Sequence, residues 1–202
     1  VLLYSVPALA QSPGVLTFAG GGGDTEPDVA YALTSSPQTP NAVYATRDGG
    51  RSWAPTSPPL SGAARYDSVL VAPSDPNRMY VGASTVSPVP SGPSTAVIFR
   101  SEDGGATWTS TTSAMNLGER AFRIWAVNPT DPDHVLASFG SAFSGRLVAS
   151  TDGGRSFRDV VELASVDALA WRDDGAQVLV SGRNGAGVWR STDGGQTFSQ
   201  LR

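Results

Sequence analysis

Several residue types that often carry chemistry are absent or scarce in this sequence of 202 residues. There is no cysteine, which excludes disulfide frameworks, cysteine-ligated zinc and thiol nucleophiles. The only histidine is His134, so a Ser–His–Asp triad would have to use it. Because His134 follows Pro132 and Asp133 in a turn-like stretch, we predict that it is a solvated turn residue.

Charge is also scarce. Charged residues make up 16% of the chain, the formal net charge is −4, and all basic residues are arginines. With no basic stripe to follow a phosphate backbone, we expect no nucleic-acid partner. No apolar run reaches the roughly 18 residues of a membrane span. No segment sustains an apolar period of 3.6 residues, which predicts almost no helix.

A short phrase occurs four times. It consists of a hydroxyl residue, any residue, Asp-Gly-Gly, any residue, Ser or Thr, and an aromatic residue. The copies are Thr46–Trp53, Ser101–Trp108, Ser150–Phe157 and Ser191–Phe198. They follow one another about 40 to 55 residues apart, which is typical of a repeat array.

Each phrase occupies the same place in a larger unit. Short apolar runs separated by turn residues predict four strands per unit, with the phrase closing the hairpin between the third and fourth. Four-stranded units in tandem are typical of β-propeller blades. We therefore predict an all-β propeller segment of four antiparallel blades over residues 15–202, at about 15–56, 67–111, 122–161 and 166–202.

The chemistry of the phrase predicts a structural role. The glycines allow a tight turn, and the Asp carboxylate can accept hydrogen bonds from the backbone of its own turn. The aromatic residue can cover the hairpin. The residues assigned this role are Asp48, Trp53, Asp103, Trp108, Asp152, Phe157, Asp193 and Phe198.

The four phrases resemble Asp-box (BNR) repeats, which sialidases, xyloglucan-cleaving propeller glycosidases, sortilin-type receptors and a photosystem II assembly factor share. The resemblance covers residues 15–202. It implies a propeller whose Asp boxes lie away from the ligand face, and it argues against a catalytic role for their carboxylates. Such families usually close with six or more blades. We therefore expect further blades, a second copy, or an unusually small ring.

Propellers bind ligands where the inter-blade loops meet the loops between second and third strands. The charged and aromatic residues that we predict at this face are Arg65, Tyr66, Asp67, Glu119, Arg120, Arg123 and Asp167. Paired carboxylates could act on a sugar, and arginines could bind a substrate carboxylate; ordinary solvated loop charges are the alternative. Phe122-Arg123-Ile124-Trp125 loosely resembles the Arg-x-Pro motif of sialidases, but Trp125 stands where the proline should be. No catalytic pair is identified.

Residues 1–14 allow two interpretations. An apolar stretch followed by Ala8-Leu9-Ala10 resembles the tail of a secretory signal, and the alternative is a stray strand. We expect an exported propeller module, non-catalytic by itself, that presents loops to a glycan or protein. The alternatives are part of a sialidase- or xyloglucanase-like glycosidase, and a protein-binding assembly factor or receptor. No metal site or cofactor is predicted.

Overall fold

The computed structural model describes residues 14–20, 28–35, 42–59, 64–85, 92, 94–141, 145–163, 165–182 and 187–201. All the regular structure within these ranges is β-strand, arranged as four separate four-stranded antiparallel sheets. The predicted all-β class and the four blades are therefore confirmed. The segment interpreted as a signal tail or stray strand lies outside the described residues except for Gly14.

The strands run in chain order across each sheet, which we call a blade. Blade 1 contains β1 (Gly14–Gly20), β2 (Ala30–Ser35), β3 (Ala42–Thr46) and β4 (Ala54–Pro55). Blade 2 contains β5 (Ala64–Ala72), β6 (Asp75–Thr85), β7 (Thr95–Ser101) and β8 (Thr109–Ala114). Blade 3 contains β9 (Ala121–Val127), β10 (Val135–Gly140), β11 (Gly145–Ser150) and β12 (Arg158–Glu162). Blade 4 contains β13 (Val166–Trp171), β14 (Val178–Gly182), β15 (Gly187–Ser191) and β16 (Ser199–Gln200).

Burial follows strand position. The second strands are the most buried, and in β6 all six residues from Met79 to Ser84 lie inside. The fourth strands are polar and largely exposed, as in β8. Apolar side chains on both faces of a strand require cover on both faces, so these blades pack face to face with their neighbours.

Three apolar interfaces join the four blades. Tyr31 and Leu33 of blade 1 pack with Met79 of blade 2. Tyr80 and Ile98 pack with Phe122 and Phe139 of blade 3. Between blades 3 and 4, two adjoining clusters contain Leu136, Leu147, Val178 and Val180. The core of the molecule therefore lies between blades rather than within any one of them, as expected of stacked repeats.

Each Asp-Gly-Gly phrase lies between the third and fourth strands of its blade and forms the same hydrogen-bond network. In blade 2 the Asp103 carboxylate accepts from the backbone N–H of Thr107 at 2.8 Å and from its hydroxyl at 2.6 Å. The Ser101 hydroxyl donates to Asp103 at 2.7 Å and accepts from Gly105 N at 2.8 Å. The hydrogen bonds from Thr107, followed by that from Ser101, lower the pKa of Asp103 to about 2. The carboxylate therefore stays ionised as an acceptor that holds the turn.

The hairpins also contact neighbouring blades. The Tyr31 hydroxyl and the Arg47 guanidinium donate to Gly104 O at 3.1 and 2.9 Å, so blade 1 holds the turn of blade 2. The aromatic residue of the phrase, half-buried Trp108, packs in the same interface. Local turn chemistry and blade stacking thus meet at one place.

The prediction that His134 is a solvated turn residue was wrong. His134 is 6% exposed, its ring lies edge-on to Trp171 of blade 4 with centroids 5.0 Å apart, and its Nε2 atom is buried without a hydrogen-bond partner. Burial, and to a lesser extent the charge of Arg158, lowers the pKa of His134 below its ordinary value of 6.5, against the opposing charge of Asp131. The turn is polar in sequence, but the next blade covers it.

The contribution of His134 to stability should therefore fall as the pH drops from 7 to 5. Above pH 6.5 the histidine is neutral in both states, whereas below it the unfolded chain gains a proton that the folded chain resists. The slope from this residue approaches about 1.4 kcal/mol per pH unit at most. Denaturant unfolding at pH 7, 6 and 5 should show a flatter dependence for His134→Gln than for the parent. The same pH dependence of stability in both proteins would contradict a neutral, buried His134.

Candidate functional site

Two aspartates predicted at the ligand face lie at bulges in the first strands of their blades. In β5, Tyr66 pairs with Ala83 and Ser68 with Gly82, so the strand register shifts at Asp67. In β13, the same register shift occurs between Val166 and Ala168, at Asp167. A bulge redirects the side chain of its extra residue. Blades 2 and 4 thus present an aspartate at matching positions.

Asp67 is held in a polar network although it is largely buried. Its carboxylate pairs with Arg65 Nε at 3.0 Å and accepts a hydrogen bond from the Ser84 hydroxyl, while only 13% of the side chain is exposed. Burial raises the pKa of Asp67 above its ordinary value, against the hydrogen bond from Ser84 and the charges of Arg65 and Arg123. Three candidate residues, Arg65, Asp67 and Arg123, therefore form one electrostatic group.

Serine hydroxyls of blade 2 set the position of Arg123 in β9. Phe122 N donates to Ser84 Oγ at 3.4 Å, and Ile124 N donates to Ser68 Oγ at 3.1 Å. Arg123 lies between these two anchored residues in β9. Its side chain is therefore on the other face of the strand from those of Phe122 and Ile124. Both serines are buried, so the connection between the blades is protected from water.

Arg123 stacks on an aromatic ring. Its guanidinium carbon lies 4.5 Å from the centroid of Trp125. The indole N–H of Trp125 donates to Ser138 Oγ at 2.8 Å, which fixes the orientation of the ring. The cation and the aromatic face stabilise each other, and together they present a flat, positively charged surface.

Glu119 is committed to an ion pair. Its carboxylate accepts from Arg146 Nε at 2.7 Å and Nη2 at 3.2 Å, and from Asn116 N at 2.7 Å. Arg146 also pairs with Asp159 and lies over the ring of Phe139, 4.4 Å from its centroid. With Glu119 only 8% exposed, its charge is neutralised inside the fold.

A cavity of about 170 Å³ lies beside these residues, where blade 3 meets blade 4. Its wall is formed by strand ends from both blades and by the connection between them. The residues that line it are Ala121, Arg123, Trp125, Ser138, Phe139, Gly140, Ser141, Gly145, Arg146, Leu163, Ser165 and Val166. Ser165 Oγ is buried there without a hydrogen-bond partner. Aromatic and aliphatic walls with a few polar groups are typical of small-molecule sites.

The remaining candidates lie in different surroundings. Tyr66 is 3% exposed, and its hydroxyl donates to Pro58 O, so it supports the start of β5 from inside. Arg120 and Asp167 are exposed. Among the seven candidates, only Arg123 lines the cavity.

Sequence reasoning missed residues that matter to this site. Arg146, Ser84 and Ser165 belong to no motif, and Trp125 drew notice because it stands where the sialidase motif has proline. The available indication for Arg146 was its place at the start of a third strand, beside the loop between second and third strands. Its partner Glu119 lies 27 residues earlier in the chain, and no local pattern connects them.

Metal and membrane features are absent from the described part of the chain. There, no three acidic or histidine side chains lie close enough together to hold a metal ion. The same ranges contain no helix with the length and apolar character needed to cross a bilayer.

Known proteins resemble this chain in sequence and in structure. A xyloglucanase of Hypocrea jecorina is 30% identical over 180 residues, covering 79% of this chain and 20% of that protein. The crystal structure of an ancestral GH74 enzyme superposes with a TM-score of 0.63 at 19% identity, covering 96% of this chain and 25% of that one. A sialidase of Trypanosoma rangeli superposes with a TM-score of 0.59 at 14% identity, covering 94% of this chain and 37% of that one. No protein-family profile matches.

The four sheets have their strands in chain order and stack face to face, and they superpose on these structures. These two observations identify the architecture. The chain has the β-propeller fold. The similarity to xyloglucanase and sialidase propellers agrees with the resemblance noted in the four repeats.

This propeller spans only part of its relatives. It covers about a fifth of the Hypocrea jecorina xyloglucanase and about a quarter of the ancestral GH74 enzyme. The similarity therefore establishes the fold of these four blades. It carries no activity or substrate to this chain directly.

Proposed function

We propose that this chain is an exported, non-catalytic propeller segment that binds a glycan in the cavity between blades 3 and 4. The observation that carries this proposal is the lining of that cavity. It combines the Trp125 and Phe139 rings with Arg123, Ser138 and Ser165, and among the described residues no carboxylate lines it.

The lining suits a sugar. A pyranose has an apolar face of C–H groups and an edge of hydroxyls, so it matches an aromatic wall with polar groups beside it. Ser165 Oγ is buried without a partner and can hydrogen-bond a sugar hydroxyl. The Arg123 guanidinium adds donors for a hydroxyl or a sugar carboxylate.

The pairing of the carboxylates near the cavity favours a binding role over a catalytic one. Glycosidases use two carboxyl groups that face each other across the scissile bond, about 5–5.5 Å apart in retaining enzymes and 6.5–9.5 Å apart in inverting ones. Here Glu119 is bound by Arg146, and Asp67 is bound by Arg65 and Ser84. Neither lines the cavity. Releasing Glu119 for chemistry would leave the largely buried Arg146 without this partner.

We also propose that further blades complete the ring beyond blade 4. Leu136 and Leu147 of blade 3 are both 0% exposed, because blade 4 covers them. Their counterparts at the same register in blade 4, Leu179 and Val188, are both 41% exposed. An additional blade stacked on this face would bury them as the other interfaces do.

Glycan binding is tested by titrating the purified chain with xyloglucan oligosaccharides and with sialyllactose in a calorimeter. Arg123→Gln should weaken binding about tenfold or more, because it removes charge-assisted hydrogen bonds at the cavity wall. The matched control is Arg172→Gln, an exposed arginine paired with Asp174. It should leave affinity unchanged.

The two halves of the proposal fail separately. If neither ligand binds, or if both variants lose affinity equally, the cavity is not a glycan site. Hydrolysis of xyloglucan or of an aryl sialoside that Asp67→Asn or Glu119→Gln abolishes would refute the non-catalytic role and indicate a glycosidase.

A further inference from the structure

A second cavity lies between blades 2 and 3, at the end of the strands where the Asp-Gly-Gly turns are. It has a volume of about 230 Å³. It is bounded by the end of β7, the outer strand β8 and the turn of the next blade. The residues that line it are Ile98, Arg100, Thr109, Ser110, Thr111, Gly153 and Arg155. The glycan cavity proposed above lies between blades 3 and 4 and shares none of these residues.

Arg100 enters this cavity with unsatisfied donors. Its side chain is 11% exposed, and its Nη2 atom pairs with Glu102 at 3.2 Å. The Nε and Nη1 atoms are buried and have no hydrogen-bond partner. Buried guanidinium N–H groups without an acceptor are costly, and native proteins rarely leave them so.

The rest of the lining favours an anion. Arg155 lies on the turn of blade 3 and uses Nη1 to donate to Asp152 O at 2.7 Å, which holds its guanidinium in place. The Thr111 hydroxyl adds a neutral donor, because Thr111 pairs with Ile98 and its side chain lies on the same face of the sheet. Among the described residues no carboxylate lines the cavity, so two arginines face it with no acidic side chain between them.

We propose that this cavity binds a small oxyanion of the sulfate, phosphate or carboxylate class, with Arg100 and Arg155 as its cationic partners. An oxyanion accepts strong, charge-assisted hydrogen bonds from guanidinium N–H groups. It would accept a hydrogen bond from one of the two unsatisfied donors of Arg100 and join blade 2 to the turn of blade 3. Oxyanion binding should therefore stabilise the interface between these blades.

The nearby acidic groups do not satisfy this site. Glu102 bridges Arg78 and Arg100, and Asp133 pairs with Arg78. The Glu102 and Asp133 side chains are 61% and 42% exposed, so water screens their charges. Neither lines the cavity, and neither reaches Arg100 Nε or Nη1.

The chain contains a matched control for Arg100. Arg190 of β15 pairs with Leu179 as Arg100 pairs with Tyr80, so both arginines have the same strand position. Arg190 is exposed and lies outside the cavity. Sulfate stabilises proteins generally by exclusion from their surface, and this comparison removes that common effect.

The test measures melting temperature at constant ionic strength with sodium chloride, sulfate, phosphate or acetate. In the parent and in Arg190→Gln, a bound oxyanion should raise the melting temperature about 2–4 °C beyond the rise in Arg100→Gln. The relative effects of sulfate, phosphate and acetate identify which oxyanion binds. Equal rises in all three proteins would refute the site.

A second pair of variants keeps the proposal testable if Arg100→Gln does not fold. Arg155 and Arg51 both follow Asp-Gly-Gly and donate Nη1 to the Asp backbone carbonyl, at 2.7 and 2.8 Å. Only Arg155 lines the cavity. Arg155→Gln should weaken sulfate binding about tenfold while Arg51→Gln leaves it unchanged. An identical affinity in the two variants would overturn the proposal.

Discussion

Replacing Phe122 by alanine should destabilise the protein by about 3–5 kcal/mol. Phe122 is fully buried, and its ring lies 5.0 Å from that of Phe139 and 5.8 Å from that of Phe157. It belongs to the blade 2–3 interface cluster, in which Tyr80 and Ile98 of blade 2 also pack. Alanine would leave a cavity in the middle of the blade 2–3 interface, where several aromatic neighbours cannot all move inward.

Chemical unfolding followed by circular dichroism measures this effect. Phe122→Leu keeps most of the volume and should cost about 1.5 kcal/mol or less. Leu117→Ala serves as the control, because Leu117 is 85% exposed and its truncation should change stability by at most about 0.5 kcal/mol. A loss below about 1 kcal/mol for Phe122→Ala would show that blades 2 and 3 do not depend on this contact.

The architecture could be predicted because its main determinant is local. In each repeat, the hydroxyl residue, the aspartate and the glycines lie within a few positions of one another and form hydrogen bonds among themselves. Ser101, for example, bonds Asp103 two residues later and Gly105 four residues later. A pattern that short folds in the same way wherever it occurs, so four copies identify four hairpins.

The site depends on residues that are far apart in the sequence, so only part of it could be predicted. The inter-blade loops identified Asp67, Arg123 and Glu119, but their partners come from other strands. Ser84 lies 17 residues after Asp67, and Arg146 lies 27 residues after Glu119. Whether a carboxylate is free or neutralised depends on that pairing. Loop position alone therefore located the face of the propeller without showing which groups face a ligand.

His134 fails for the same physical reason. Its neighbours Pro132 and Asp133 are turn residues, and a turn normally faces water. In this fold the turn after β9 lies under the next blade, where Trp171 covers the imidazole. Stacked repeats bury some of their turns. The sequence of one repeat does not show which of its turns the next repeat will cover.

Alanine at Gly154 should destabilise the protein by about 2–5 kcal/mol. Gly154 is the second glycine of the third phrase and has φ of 78°. An L-residue in this left-handed conformation costs about 1–2 kcal/mol. A Cβ atom would also lie 2.9 Å from Ile98 Cγ2 of blade 2, within the packed interface. Overpacking of this kind adds about 1–3 kcal/mol.

Gly118→Ala separates the two contributions. Gly118 also has positive φ, 92°, but a Cβ atom there would meet nothing within 4 Å. Both substitutions restrict the unfolded chain equally, so the difference between them reports the contact with Ile98. We expect Gly154→Ala to unfold at clearly lower denaturant concentration than Gly118→Ala. If the two variants have the same midpoint, the glycine is needed only for the turn. If Gly154→Ala is the less stable one, the Asp-Gly-Gly phrase also requires glycine because the neighbouring blade packs directly against the turn.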